Sequence, residues 1–205
     1  MSGTRSAAGA RVGRPTVADQ RRRQIVEAFI RLIAAKGLER VGLDEVAAAA
    51  GVRRPALRHF VGNRRELIEV TVAELCRRYE ATIRGLAPGT PRAEQLVRAL
   101  FSDDWVHGGA DEDLVFNALL HEAARNEGTA GEIRRAYDVL LAEIESALRR
   151  DYPGAPSSEV RDAAYAITCL VEHNATMQHI GYPRARSAGT LAAALRIAHR
   201  LGASP

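Results

Sequence analysis

The chain has 205 residues, 46% of them hydrophobic but only 5% aromatic, with a net charge of +4, enough for one large or two small domains with a substantial core. Cys76 and Cys169 stand far apart with no C-x-x-C spacing, which argues against a disulfide scaffold and against a zinc site. No stretch approaches the roughly eighteen apolar residues of a membrane span and no apolar run follows the N-terminus, so a cytoplasmic protein without a membrane partner is expected.

The charge is spread unevenly. Up to Arg65 there are fourteen Lys and Arg against five Asp and Glu; from Glu66 onward there are fifteen against twenty. A concentrated basic segment suits a polyanion, because each neutralised phosphate releases counterions. Residues 1–16 are rich in Gly, Ala, Ser and Arg without periodicity, as in a flexible basic arm. Arg14, within Gly13-Arg14-Pro15, is placed to enter a narrow minor groove from such an arm.

Val17 to Lys36 has helical period, with Ile25, Phe29, Leu32 and Ile33 on one stripe and Lys36-Gly37 as a stop signal. Arg21, Arg22 and Arg23 stand on its first turns, within reach of phosphate. Leu43 to Phe60 then reads as two short helices around a tight turn. Val46, Ala47 and Ala50 share a face, Gly51 reverses the chain, Val52 plugs the turn, and Pro55 opens the second helix. Leu57 and Phe60 share the inner face of that helix at i, i+3. A small residue, a turn glycine and apolar residues at these spacings are the packing requirement of a helix-turn-helix. Arg53, Arg54, Arg58 and His59 fall on the outward side. After Val61-Gly62-Asn63 a long helix starts near Arg64 and carries Leu67, Ile68, Val72, Leu75, Tyr79, Ile83 and Leu86 at near-helical period.

From about Arg22 to Leu67, the helix ending in Gly37, the run D-E-V-A-x-x-A-G-V-x-x-P-A-L and the run V-G-N-R-R-E-L-I resemble the N-terminal domain of the TetR/AcrR family. The resemblance implies an all-α homodimer with a three-helix DNA-binding head and a larger helical body for ligand binding and dimerisation. It also implies a repressor that releases a palindromic operator when a small-molecule inducer binds. Arg53, Arg54, Pro55 and His59 occupy positions that face DNA in such proteins, and Arg64 takes the place of a phosphate-holding lysine. Val61 and Asn63 are similar to the tetracycline-repressor branch. Arg58 replaces a usual tyrosine, Arg53 a usual serine, and Val41-Gly42 a usual threonine pair. Arginine still reaches phosphate or pairs bidentately with guanine. The expected division is an arm over 1–16, a helix-turn-helix domain over 17–64 and a body over 65–205.

In the body, Pro88 to Pro91 is a loop. Helices are expected over Ala93 to about Val106, Glu112 to Asn126, Gly131 to Arg150, from a cap at Ser157 or Ser158 to about Ile180, and over Ser187 to Leu201. Asp103 to Gly109 reads as a break, and Asn126-Glu127-Gly128 as the close of a helix. The two C-terminal helices are rich in alanine and suit close packing, which from the residues alone could equally lie within one chain; the family resemblance implies that they pair with their copies. DNA half-site symmetry is an independent reason to expect a dimer on double-stranded DNA. Phe101, Trp105, Phe116, Tyr137 and Tyr165 are candidate pocket aromatics, and His121, Cys169 and His173 candidate polar anchors beside them. Glu172 and Thr176 share the stripe of Tyr165 and Cys169. Plain core packing and a polar dimer contact are the other uses of these residues. A small helical metal-dependent hydrolase using His121, His173 and His179 is the alternative. No H-E-x-x-H or nucleophile pattern supports it, so no metal or cofactor is expected. An activator on the same fold is equally compatible with these residues.

Overall fold

The computed structural model describes residues 16–86, 89–107, 110–123 and 125–202, and the described residues contain α-helices and one 3-10 turn but no strand. Helix α1 (Val17–Lys36) spans the residues expected. Its start is a reciprocal cap: Asp19 N–H donates to the Thr16 hydroxyl at 3.1 Å and Thr16 N–H to the Asp19 carboxylate at 3.1 Å. After a 3-10 turn at Leu38–Arg40 come α2 (Leu43–Ala49) and α3 (Arg54–Val61). Between them Gly51 takes a φ of 65°, a left-handed conformation that costs glycine little. Helix α4 (Arg64–Leu86) opens on Asn63, whose side-chain oxygen accepts from Arg65 N at 2.9 Å and Glu66 N at 3.1 Å, while Glu66 accepts from Asn63 N at 2.7 Å.

These four helices close a core around Ile25, Phe29, Val46, Leu57, Leu67 and Val72, all nearly or fully buried. The same core continues into Val115 and Leu119 of α7 (Ala110–Ala123) and Ile133 of α8 (Glu127–Asp151). A second core joins Ile83, near the far end of α4, to α5 (Ala93–Leu100), α8, α9 (Ser157–His179) and α10 (Arg184–Arg200). Helices α4 and α8 are therefore common to both, and Tyr79 of α4 packs against each. Among the described residues no helix is long and apolar enough to cross a membrane.

The body departs from the sequence reading at its caps. The helix expected over Ala93 to Val106 is two helices, because the chain turns after Leu100 and Ser102 restarts it: its hydroxyl accepts from Trp105 N at 3.3 Å, opening α6 (Asp103–His107). Two carboxylates, Asp103 and Asp104, then sit in the first turn, where the helix dipole favours them. Asn126 opens a helix instead of closing one. Its side-chain oxygen accepts from Gly128 N at 3.0 Å and Thr129 N at 3.3 Å, so α8 begins at Glu127 rather than Gly131. The preceding α7 ends at Ala123. Neither Ser157 nor Ser158 caps α9. Pro156 holds that position, and the Ser157 hydroxyl accepts instead from Arg149 at 3.0 Å. Helix α10 starts at Arg184, behind Pro183, which carries a pre-set φ into the first turn.

The Asn126 amide also donates to Glu69 of α4 at 2.8 Å, so one side chain both caps α8 and docks it. Asn126→Ala is expected to lower unfolding free energy by about 1–2 kcal/mol in urea titration, the upper part of the usual cap range.

Candidate DNA-binding surface and ligand cavity

The turn of the helix-turn-helix is closed by backbone bonds, Gly51 N–H to Ala48 O at 3.1 Å and Val52 N–H to Ala47 O at 2.9 Å. Ala47 and Leu57 are 3% and 0% exposed, so the small residue and the leucine expected to set the crossing are both in the core. With Leu57 and Val61 inward, the other side of α3 is presented to solvent: Arg53, Arg54, Pro55, Arg58 and His59 are all exposed. Arg54 is ion-paired with Asp44 of α2, across the turn. The His59 ring lies edge-on to Phe60, centroids 5.2 Å apart. Arg14 lies outside the described residues.

Arg64 stands apart from this set. It is half-buried, and its guanidinium donates to the carbonyl of Leu38 at 2.6 Å and to that of Val41. It thus clips the start of α4 to the segment ahead of α2. Arg22, which the sequence marked only as part of a basic run, donates through Nε to the Phe60 carbonyl at 3.1 Å and braces the end of α3 against α1. Nothing local in the sequence distinguishes either arginine from its exposed neighbours. The Arg22 bond joins residues 38 apart in the chain and the Arg64 bond to Leu38 residues 26 apart.

In the body, α4, α6, α7, α8 and α9 enclose a cavity of about 630 Å³, within the range of small-molecule sites. Trp105, Phe116, Tyr137, Cys169 and His173, five of the candidates, line it. Phe101 does not: it packs against the second core at the end of α5. Tyr165 does not either, being 64% exposed on the outer side of α9, because its neighbours Ala163, Ala164 and Ile167 take the inward positions. His121 is on α7, but its side chain lies outside the described residues. Tyr79, Glu172 and His179 line the cavity as well. Tyr79 looked like one more apolar position on the long helix. Glu172 lay on the polar stripe of α9, and that stripe was the available signal.

The cavity's aromatic wall is continuous. The Tyr79 ring centroid is 5.6 Å from that of Trp105, 5.8 Å from Tyr137 and 6.3 Å from Phe116, the last pair nearly parallel at 4°. Glu172 accepts the phenol hydrogens of Tyr79 at 2.9 Å and Tyr137 at 3.4 Å.

Beside the cavity, Arg78 of α4 joins three carboxylates from three helices. It donates to Glu74 one turn back at 2.8 Å, to Glu112 of α7 at 2.5 Å, and to Glu27 of α1. Glu112 is also a lining residue. Head and cavity are therefore one ion pair apart on each side of a single guanidinium. Hydrogen bonding from Arg77, opposed by burial and assisted by Arg78, holds the Glu74 carboxyl down at about 2.

An exposed basic helix on a rigid helix-turn-helix, mounted on a helical body with an apolar cavity, defines the class of ligand-responsive DNA-binding transcriptional regulators. Residues 25–71 match the family model for bacterial regulatory proteins of the tetR family. Over 160 residues the chain is 25% identical to the HTH-type transcriptional regulator BetI of Cronobacter sakazakii, covering 74% of this chain and 76% of that one. With BetI of Burkholderia thailandensis it shares 27% over 159 residues, covering 74% and 78%. Its fold is similar to that of a transcriptional regulator from Rhodococcus sp. Rha1, with a TM-score of 0.74, 20% identity, and coverage of 87% and 96%. The head of this chain thus matches the tetR-family model, and its overall fold is similar to that of solved transcriptional regulators.

Two outcomes are expected. Arg64→Ala strands the Leu38 and Val41 carbonyls and costs about 1.5–3 kcal/mol, the range for hydrogen bonds from a charged donor, whereas Arg58→Ala leaves the melting temperature nearly unchanged. Because its folded value lies below the ordinary 4.5, Glu74 contributes stability above about pH 4.5 and loses it as pH falls toward 2; Glu74→Gln should flatten that part of an acid-unfolding profile.

Proposed function

We propose that this chain is a ligand-responsive repressor of the TetR family that acts in the cytoplasm as a homodimer on a palindromic operator, with an arm over 1–16, a DNA-binding head over 17–64, and a body over 65–205 that takes the inducer. The observation that carries the reading is the exposed face of α3, where Arg53, Arg54, Pro55, Arg58 and His59 stand clear of a fully packed inner side. In this proposal that face enters the major groove, with Arg14 reaching an adjacent minor groove. Arg64 adds positive charge near the backbone, while its donors to Leu38 and Val41 keep the helix-turn-helix in place. A regulator rather than an enzyme is also what the names of the matching family model and relatives support.

The dimer is assigned to α9 and α10. Tyr165 of α9 and Ile180 at its end are 64% and 66% exposed, and α10 presents the small residues Ala188, Gly189 and Ala192. Apolar side chains beside small ones suit a helix-against-helix contact between copies. Ligand response runs through the cavity wall. An inducer that displaces α7 pulls Glu112 against Arg78, and Arg78 pulls Glu27 of α1, shifting the head. A tenfold loss of operator affinity needs only about 1.4 kcal/mol of differential binding.

Selection of bound fragments from a random duplex library, at low and near-physiological salt, tests the reading. A palindromic consensus surviving the higher salt supports it; binding that vanishes with salt and leaves no consensus overturns it. Arg58→Ala is expected to relax preference at one position of each half-site by about 1–3 kcal/mol if it reads a base edge. Glu27→Gln, which lies outside the cavity lining, is expected to keep inducer binding while reducing inducer-driven operator release; equal release in both proteins would exclude the Arg78 route.

A further inference from the structure

We propose that Asp44 is a specificity-determining residue of the DNA-binding head: it holds the Arg54 guanidinium where it reads guanine from the major groove and keeps it off the phosphates. The proposal rests on the reading of α3 as the recognition helix. Arg54 is the first residue of α3, and in a helix-turn-helix the N-terminal residues of the second helix meet the base edges. Asp44 stands in the first turn of α2 and pairs with Arg54 across the intervening turn. Nη1 of Arg54 donates to one carboxylate oxygen of Asp44. Nε and Nη2 meet no acceptor among the described residues. Those two N–H groups lie along one edge of the planar guanidinium and point the same way, the arrangement that O6 and N7 of guanine accept. An arginine held at one corner therefore keeps a bidentate edge clear for a base.

Stability does not account for the pair. The Arg54 and Asp44 side chains are 49% and 72% exposed, and ion pairs so open to water add little to folding. Affinity for DNA does not account for it either, because a carboxylate beside the recognition helix repels the phosphates that the surrounding cations attract. The exposed Arg53, Arg58 and His59 have no carboxylate partner among the described residues, so the acid is set against one arginine of the group. The neighbouring Glu45 is engaged by Lys36 at the end of α1. Without Asp44 the long Arg54 side chain is free to swing to a phosphate, where it carries no sequence information. An acid that weakens binding to every duplex while fixing one reading group widens the gap between right and wrong sequences.

Duplexes selected by the full chain from a random library supply the half-site. Single-base variants of the selected duplex then measure preference at each position for the wild type, Asp44→Ala, Arg54→Ala and the double variant. The wild type is expected to require guanine at one position of each half-site. Arg54→Ala should lower that preference by about tenfold, and Asp44→Ala by a smaller factor. The double variant should fall no further there than Arg54→Ala alone, since Asp44 acts through Arg54. The single variants part on unrelated duplex DNA. Asp44→Ala should bind it several-fold more tightly, with a salt slope steeper by about one phosphate, whereas Arg54→Ala should not. A merely structural role for Asp44 gives no tighter non-specific binding. Asp44→Asn, which keeps the shape and removes the charge, should move both readouts in the same direction and serves if the alanine variant misfolds. Guanine preference unchanged in the folded Asp44 variants overturns the proposal, as does an equal loss at every position, weaker binding to unrelated duplex, or a further loss in the double variant. A wild type that selects no consensus overturns the reading of α3 and this proposal with it. A consensus that Arg54→Ala leaves unaltered keeps the reading of α3 and overturns only the roles of Arg54 and Asp44.

Discussion

The guanidinium of Arg78 is where the two parts of the molecule are held in register. It lies on α4, the helix whose near half packs into the head and whose far half reaches the second core. Around it stand Glu27 from α1, Glu74 from its own helix and Glu112 from α7. At 24% side-chain exposure the arginine is screened from much of the solvent, and its field on the three acids is correspondingly stronger than on an open surface. Planar donors in a fixed fork can serve several carboxylates at once, which a lysine at this position would do less well.

That arrangement gives the cavity a direct mechanical meaning. Its walls come from helices of both cores: α4 and α8 belong to each, α7 packs on the head, and α9 belongs to the second core. A molecule that fits between them selects among their relative positions, and can shift the equilibrium only by its differential affinity for the two arrangements. The aromatic wall and Glu172 line the space, while Glu112 and Arg78 connect its rim to α1.

The head was legible because its signals are local. Gly37 and Gly51, Pro55, and the inward spacing of Val46, Ala47 and Leu57 lie within a few turns of one another, and each follows from φ preference or helical period. The body was less legible for two separate reasons. Asn and Gly mark both ends of helices, so Asn126-Glu127-Gly128 could not be assigned from the sequence, and the amide cap with its bond to Glu69 resolves it. Ser102 restarted a helix for a similar reason, its hydroxyl serving the N–H of Trp105. Among the aromatics, Tyr165 and Tyr137 look alike in sequence, yet one faces solvent and the other the cavity, since the register of α9 on its neighbours turns Tyr165 outward.

By itself the amino-acid sequence determined the all-α class, the helix-turn-helix and the exposed basic face of α3, since these follow from periodicity, turn chemistry and charge along short stretches of chain. Only the tertiary structure decided which arginine meets solvent and which clips a turn, as Arg58 and Arg64 do, and which polar groups share the cavity. Tyr79 and Glu172 are 93 residues apart yet hydrogen-bonded, and Glu27 and Arg78 are 51 apart. Such pairings depend on how whole helices pack, and no local pattern encodes the angle at which two amphipathic helices cross.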